Sequence, residues 1–338
     1  MTNDKRDNST DKIDGRKLRT GKGSRGEYQR KQVLSEDDLY RRYVVLLMKI
    51  MEVLGVPEYR HARSNHIYSY REKIALLALR ERMKLSYKQF VKDLPSFPGV
   101  LEELDLSSLP EQSTLCRFAK AVDPEDLQRI VTAFSFFVQK RCTLAIDGTG
   151  FSNFMRSAHF VKRCKQLGIK KEPRSFTKAS YVGDVETHII VSCRISPFRK
   201  HDVTFIPEHV KDLEGTIEPS FILMDKGYDS DAVHRFVRQR LGCITAIPAR
   251  KSRKNYGYTT HGVYRRKMLE DWEANGPLRH EYRRRPQIET INFMVKIHND
   301  SDILSRLEET RVSQGLFKVL SHNCKIVVER GWDLNYTG

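Results

Sequence analysis

What this chain lacks narrows its reading first. No run of apolar residues approaches the ~18 needed to cross a bilayer. The longest, Val44–Met48 and Ile130–Val138, have the length of helix interiors. The N-terminus is polar and charged, without the apolar core of a signal peptide. On that reading Asn8-Ser9-Thr10, formally a glycosylation acceptor, is a chance match. The six cysteines include no C-x-x-C pair and no close His/Cys cluster. That argues against structural zinc and a disulfide framework, and for a reducing compartment. Acidic residues are in deficit: 43 Asp and Glu face 60 Lys and Arg, giving a formal charge of +17 and a pI of about 9.6. A surplus of that size calls for a polyanionic partner, and with no membrane signal the expected one is nucleic acid.

What is present organises the chain into regions. With 338 residues, 39% hydrophobic and 30% charged, it can bury a core and holds about two domains. Residues 1–33 are almost free of apolar side chains and read as a disordered basic tail. From 34 to 140 the pattern is helical. Ser35 opens a helix that Gly55 closes, and a second spans Tyr70–Met83. Others follow from Ser86, around Val100–Leu104, up to Ala121, and from Asp123-Pro124 to about Val138. After Arg141 strands appear at Cys142–Asp147, 174–184, 187–196, Phe221–Asp225 and Cys243–Pro248. Helices are expected over Asp202–Asp212, Ser230–Arg240 and from Pro286 to about His298. The last 40 residues suggest a tail with short helices at best, around Arg306 and Gln314–Val319. This order predicts an α/β fold, a mixed sheet covered by helices, over 141–300.

Two aspartates, Asp147 and Asp225, each close an apolar strand, although aspartate is a poor strand former. Glu289 falls in the first turn of the last helix, and Asn292 and Lys296 share its face at +3 and +7, opposite Ile288, Ile291 and Val295. Phosphodiester chemistry needs two divalent ions about 4 Å apart, and hard cations such as Mg²⁺ prefer carboxylate oxygens. Each aspartate alone reads equally well as a turn former, and the helical face alone as a solvated ion pair. Between 249 and 285 stand eleven Lys or Arg against four acids, with Tyr256, Tyr258, Tyr264 and Trp272 interleaved. That mixture suits a backbone-tracking, base-stacking surface; Trp272 stacks on a flipped base or simply packs. Ser86–Ala121 reads as a helix-turn-helix-like unit, with Arg117 and Lys120 toward DNA, or as a plain basic bundle.

The spacing Tyr282-x2-Arg285-x3-Glu289-x6-Lys296, with Ile146-Asp147-Gly148-Thr149 and Met224-Asp225-Lys226-Gly227-Tyr228, resembles a large group of prokaryotic insertion-sequence transposases. His201-Asp202 and Pro110-x2-Ser113-Thr114-Leu115-x-Arg117-Phe118 are similar as well, and the resemblance covers roughly residues 40–300. It implies a ribonuclease H-like catalytic domain whose Asp-Asp-Glu triad is Asp147, Asp225 and Glu289, binding two Mg²⁺ ions (Mn²⁺ as a substitute). It further implies that Arg285, Lys296 and Tyr282 hold the element end and that residues 34–140 bind it. The expected partners are terminal inverted repeats, target DNA and a second copy of the chain, in a prokaryotic cytoplasm. A different metal-dependent nuclease or resolvase on the same fold, or an inactive DNA-binding relic, are the alternatives.

Overall fold

The structure is a computed structural model that describes residues 34–60, 66–153, 163, 166–168, 176–250, 262–274 and 276–332. The basic tail 1–33 and residues 251–261 of the basic segment, with Tyr256 and Tyr258, lie outside the described residues. Six helices come first: α1 (Glu36–Val53), α2 (Tyr70–Met83), α3 (Tyr87–Asp93), α4 (Pro98–Glu103), α5 (Gln112–Ala121) and α6 (Pro124–Ala133). Their starts follow capping chemistry. Ser35 accepts from Asp38 N at 3.1 Å, Ser69 and Glu72 form a reciprocal box, and Ser86 accepts from Gln89 N. Gly55, at φ +62°, ends α1 in the left-handed conformation that glycine adopts without a Cβ penalty.

The sheet then forms from β1 (Thr143–Asn153), β2 (Phe176–Asp184), β3 (Ile190–Ser196), β4 (Phe221–Met224), β5 (Ile244–Ala246) and β6 (Asp302–Ile303). Its order is β3-β2-β1-β4-β5, with β6 pairing β1 beyond the end of β4. β1–β2 and β2–β3 are antiparallel; β1 pairs in parallel with β4 and β6, and β4 with β5. This mixed sheet with helices on both faces is ribonuclease H-like. Helices α7 (Ile206–Leu213) and α8 (Asp231–Leu241) cover one face. The other receives α11 (Gln287–Asn299) and α12 (Glu308–Arg330). Gly183 admits α11 closely, since a Cβ there would stand 2.5 Å from Ile291 Cδ1.

Three expectations need correction. Asp147 does not end its strand: β1 continues to Asn153, because the ladder to β2 runs unbroken to Ser152–Phe176 and overrides local propensity. The segment 249–285 is not merely polar chain but holds α9 (Val263–Ala274) and α10 (Gly276–Tyr282). The last 40 residues, read as a tail with short helices, contain the 23-residue α12, buried almost all round. Its polar residues hid it, and each has a buried task. Asn323 pairs with both N and O of Ile190 at the sheet edge, and Gln314 Oε1 accepts from Leu304 N and Ser305 N. Lys318 reaches the carboxylate of Glu81 on α2 at 3.0 Å, and Arg80 closes the same ion cluster. Residues from Ser35 onward therefore share one hydrophobic core across the expected boundary near residue 140.

A buried relay pins α7 to the sheet. Ser192 Oγ donates to Asp212, so it accepts from His209 Nδ1; Ser180 Oγ then donates to His209 Nε2 at 2.9 Å. Burial, reinforced by Arg194, lowers the His209 pKa to about 3. Burial also lowers His322, which meets His188 O at 2.9 Å, to about 3. Unfolded histidine titrates near 6.5. Between these values the unfolded chain binds protons that the folded chain refuses, so stability rises with pH there and is lost on acidification. Urea unfolding should show stability falling below pH 6.5 by about 1.4 kcal/mol per pH unit for each buried histidine. A flat profile from pH 7 to 5 would show that neither ring is held neutral.

Candidate active site

The register of the central strands sets the first two carboxylates. β1 and β4 pair in parallel from Thr143–Phe221 to Ile146–Met224. Asp147 and Asp225 are the residues that follow this last pair. Asp147 lies two residues after Ala145, which faces Gly183 and hence α11. The turn Arg283–Pro286 enters α11, where Ile288, Ile291 and Val295 pack on the sheet. Glu289 is thereby turned outward, with its side chain 61% exposed.

Arg285 joins two members of this set. Its guanidinium lies 3.3 Å from Asp147 Oδ1 and pairs with Glu289 Oε1. The other Asp147 oxygen accepts from Asn292 Nδ2 at 3.2 Å. Burial raises the Asp147 pKa; Arg285 and the Gly148 amide oppose that rise, while Asp202 and Glu289 add to it. Asp225 accepts from Lys226 N at 2.7 Å. The Tyr282 phenol, raised by burial, feels Arg285, Asp225 and Glu289. Arg285 thus joins Asp147 to Glu289, and Tyr282 lies within electrostatic range of both Asp225 and Glu289.

The donor set is chemically suited to hard divalent cations, being all carboxylate oxygen. Among the described residues no three Asp, Glu, His or Cys side chains enclose an ion-sized space as they stand. A cation is nevertheless already accepted between Asp147 and Glu289, namely the guanidinium of Arg285. Arg285 Nε and Asn292 Oδ1 are buried there without hydrogen-bond partners. These groups fit a place for a charged ligand.

Support from behind comes from residues that the sequence reading did not assign. On the opposite face of β1, Lys178 and Asp202 pair at 2.6 Å beside Gly148. Tyr228 lies close by, its phenol raised by burial and by the charges of Asp202 and Asp147. His201-Asp202 was the sequence signal for this contact; Lys178 offered none. Asp229 accepts from Arg250 N and Arg265 Nε, and Asp231 from Tyr264 N and Arg265 N. These two acids tie the start of α9 to the chain just after Asp225. Burial opposes ionisation of Asp229, but the His234 ring 3.7 Å away and hydrogen bonds from Arg265 and the Arg250 amide hold its pKa at about 2.

The other candidates are distributed unevenly. Tyr282 ends α10 and packs edge-on against Trp272, with ring centroids 5.0 Å apart. Lys296 is half-buried on α11, its Nζ 5.9 Å from the Phe151 ring centroid, with no ion pair among the described residues. Arg117 and Lys120 are exposed on α5, which packs on α2, α3 and α12. No hydrogen bond or ion pair joins them to the carboxylates. No helix among the described residues is long and apolar enough to cross a membrane.

Comparison with known proteins gives three findings. Residues 138–323 match the family model described as "Transposase DDE domain". No curated protein is significantly similar in sequence. Among solved structures, the chain is similar to a piggyBac transposase synaptic complex with hairpin DNA at TM-score 0.40 and 10% identity, covering 88% of this chain and 77% of that one. It also resembles a Mos1 transposase paired-end complex with left transposon end at TM-score 0.21 and 12% identity, covering 73% and 84%.

The support behind Asp147 is open to test. A Cβ at position 148 would stand 1.9 Å from Asp202 Oδ1 and 2.6 Å from Lys178 Nζ. Gly148→Ala should therefore destabilise the fold by about 1–3 kcal/mol in urea unfolding. Adding Asp202→Ala should recover part of that loss, since the two sites are in contact. Additive losses in the double variant would show that the pair does not crowd residue 148.

Proposed function

This chain belongs to the transposase DDE domain family, and on that premise we propose how its residues carry out the reaction. As a member it is a DNA transposase, an enzyme of nuclease and strand-transfer chemistry. Transposases of this kind generally use divalent metal ions. Our reading is that Asp147, Asp225 and Glu289 hold two Mg²⁺ ions, with Mn²⁺ as a substitute. The observation that carries it is the parallel register of β1 and β4, whose last pair, Ile146–Met224, immediately precedes Asp147 and Asp225, together with the link that Arg285 makes from Asp147 to Glu289.

Bound divalent cations supply positive charge to the attacking and leaving oxygens of a phosphodiester. The protein's own residues supply position. Arg285 and Lys296 hold phosphates of the element end, Arg285 through its planar fork and Lys296 as a point charge. Tyr282 and Trp272, already in ring contact, flank that strand. Arg117 and Lys120 belong to a helical surface, within residues 34–140, for the terminal repeat. Water cleaves the phosphodiester at the element end and frees a 3′-hydroxyl; that hydroxyl attacks a target phosphodiester in line and displaces the target strand's 3′-oxygen, without a protein nucleophile. The Tyr-Arg-Glu-Lys spacing supports reading the chain as an insertion-sequence transposase. Such an enzyme works as a homodimer on paired ends, in the prokaryotic cytoplasm.

Three measurements test this reading. Asp147→Asn, Asp225→Asn and Glu289→Gln should each lower divalent-dependent cleavage of an element-end duplex at least about 100-fold, equivalent to about 3 kcal/mol. Undiminished cleavage by folded variants would end the assignment. Strand transfer from a pre-cut end separates a transposase from a nuclease that only cuts. In a salt titration of DNA affinity, Lys296→Met should reduce the slope of log K against log salt by about 1. An unchanged slope would remove Lys296 from the phosphate contacts.

A further inference from the structure

We propose that Arg285 is a latch on the metal site: its guanidinium takes the cation position between Asp147 and Glu289. Its transfer to a DNA phosphate opens that position to divalent ions. The inference rests on reading these carboxylates as metal ligands, and adds an order of events to that reading.

Four observations support it. The terminal nitrogens of Arg285 are divided between two candidate ligands rather than forked onto one. The Arg285 side chain is largely buried, at 15% exposure, whereas that of its Glu289 partner is 61% exposed. Arg285 Nε is buried without a hydrogen-bond partner, so the side chain is held by charge and not by a completed donor set. Finally, Arg285 stands in the turn between α10 and α11, directly before Pro286, so its side chain can be re-aimed without unwinding either helix.

The competing partners are chemically alike. A guanidinium binds phosphate through the same planar fork it offers a carboxylate. A divalent cation and a guanidinium repel each other, so they compete for the Asp147 and Glu289 oxygens that Arg285 engages. DNA that draws Arg285 away therefore raises metal affinity, and by linkage bound metal raises DNA affinity by the same factor. The device keeps a phosphodiester-cleaving centre short of metal until its nucleic acid is in place.

Direct metal binding decides it, with no turnover required. Mn²⁺ binding to the full-length protein is followed by electron paramagnetic resonance in the absence of DNA. Arg285→Gln should bind Mn²⁺ about tenfold or more tighter than wild type, within the usual range of coupling between sites. Arg285→Lys, which keeps the positive charge, should stay close to wild type. Adding random-sequence duplex DNA at low salt, after subtraction of Mn²⁺ bound by the DNA itself, should tighten binding in wild type and not in Arg285→Gln. Equal or weaker Mn²⁺ binding by folded Arg285→Gln would overturn the latch and leave Arg285 as a fixed positioning residue. If Asp147→Asn and Glu289→Gln, each combined with Arg285→Gln, bind Mn²⁺ as that single variant does, the carboxylates are not the metal site. The latch then falls with the site itself.

Discussion

The pairing of β1 with β4 stops at Ile146–Met224, yet β1 runs on, and β6 takes up the same edge only at Ser152. Asp147–Phe151 is thus an interval with no strand on that side. Backbone groups left out of a ladder must find water or a ligand, so such an interval belongs at an accessible surface. Carboxylates beside it are reachable by a polymer, and the C-terminal ends of parallel strands are where sites collect in open α/β sheets. Shifting the register by one residue would turn both aspartates to the α7 face and separate them from α11.

Maintaining that register falls partly to α12, far along the chain from either strand. It packs on α2, α6, α11 and β3. Its polar side chains complete the edge of β3 and hold the chain leaving β6, while Lys318 meets Glu81 in a buried ion cluster. Buried ion pairs contribute little net stability, but a buried charge deprived of its partner is costly. The cluster therefore acts mainly as a condition that the α2–α12 packing must satisfy. Through Asn299, which donates to Lys318 O at 3.1 Å, the same condition reaches the end of α11.

Much of the helical half was legible because its cues are local. Ser35, Ser69, Ser86 and Asp123 cap within three residues of themselves, and Gly55 stops α1 by its own φ. Asp147, Asp225 and Glu289 stood out as candidates because a carboxylate beside an apolar run, or on a helix face of known period, is unusual by itself. The continuation of β1 to Asn153 was not legible, since Gly148-Thr149-Gly150 has little strand propensity and only β2 holds it extended. Nor was α12, because Gln314, Lys318, His322 and Asn323 break an apolar stripe unless their buried partners are known.

The sequence by itself determined the composition of the site and the chemistry open to it: three acids, a forked cation and a lysine at recognisable spacing, on a chain with a large positive surplus. Those are properties of residue types and short periods, which do not depend on distant neighbours. Only the tertiary structure decided that Arg285 lies between Asp147 and Glu289, that Lys178 and Asp202 stand behind Gly148, and that α12 closes the core. Each of those arrangements joins residues separated by many positions in the chain. Their contacts follow from packing and charge in a shared interior, which no local pattern encodes.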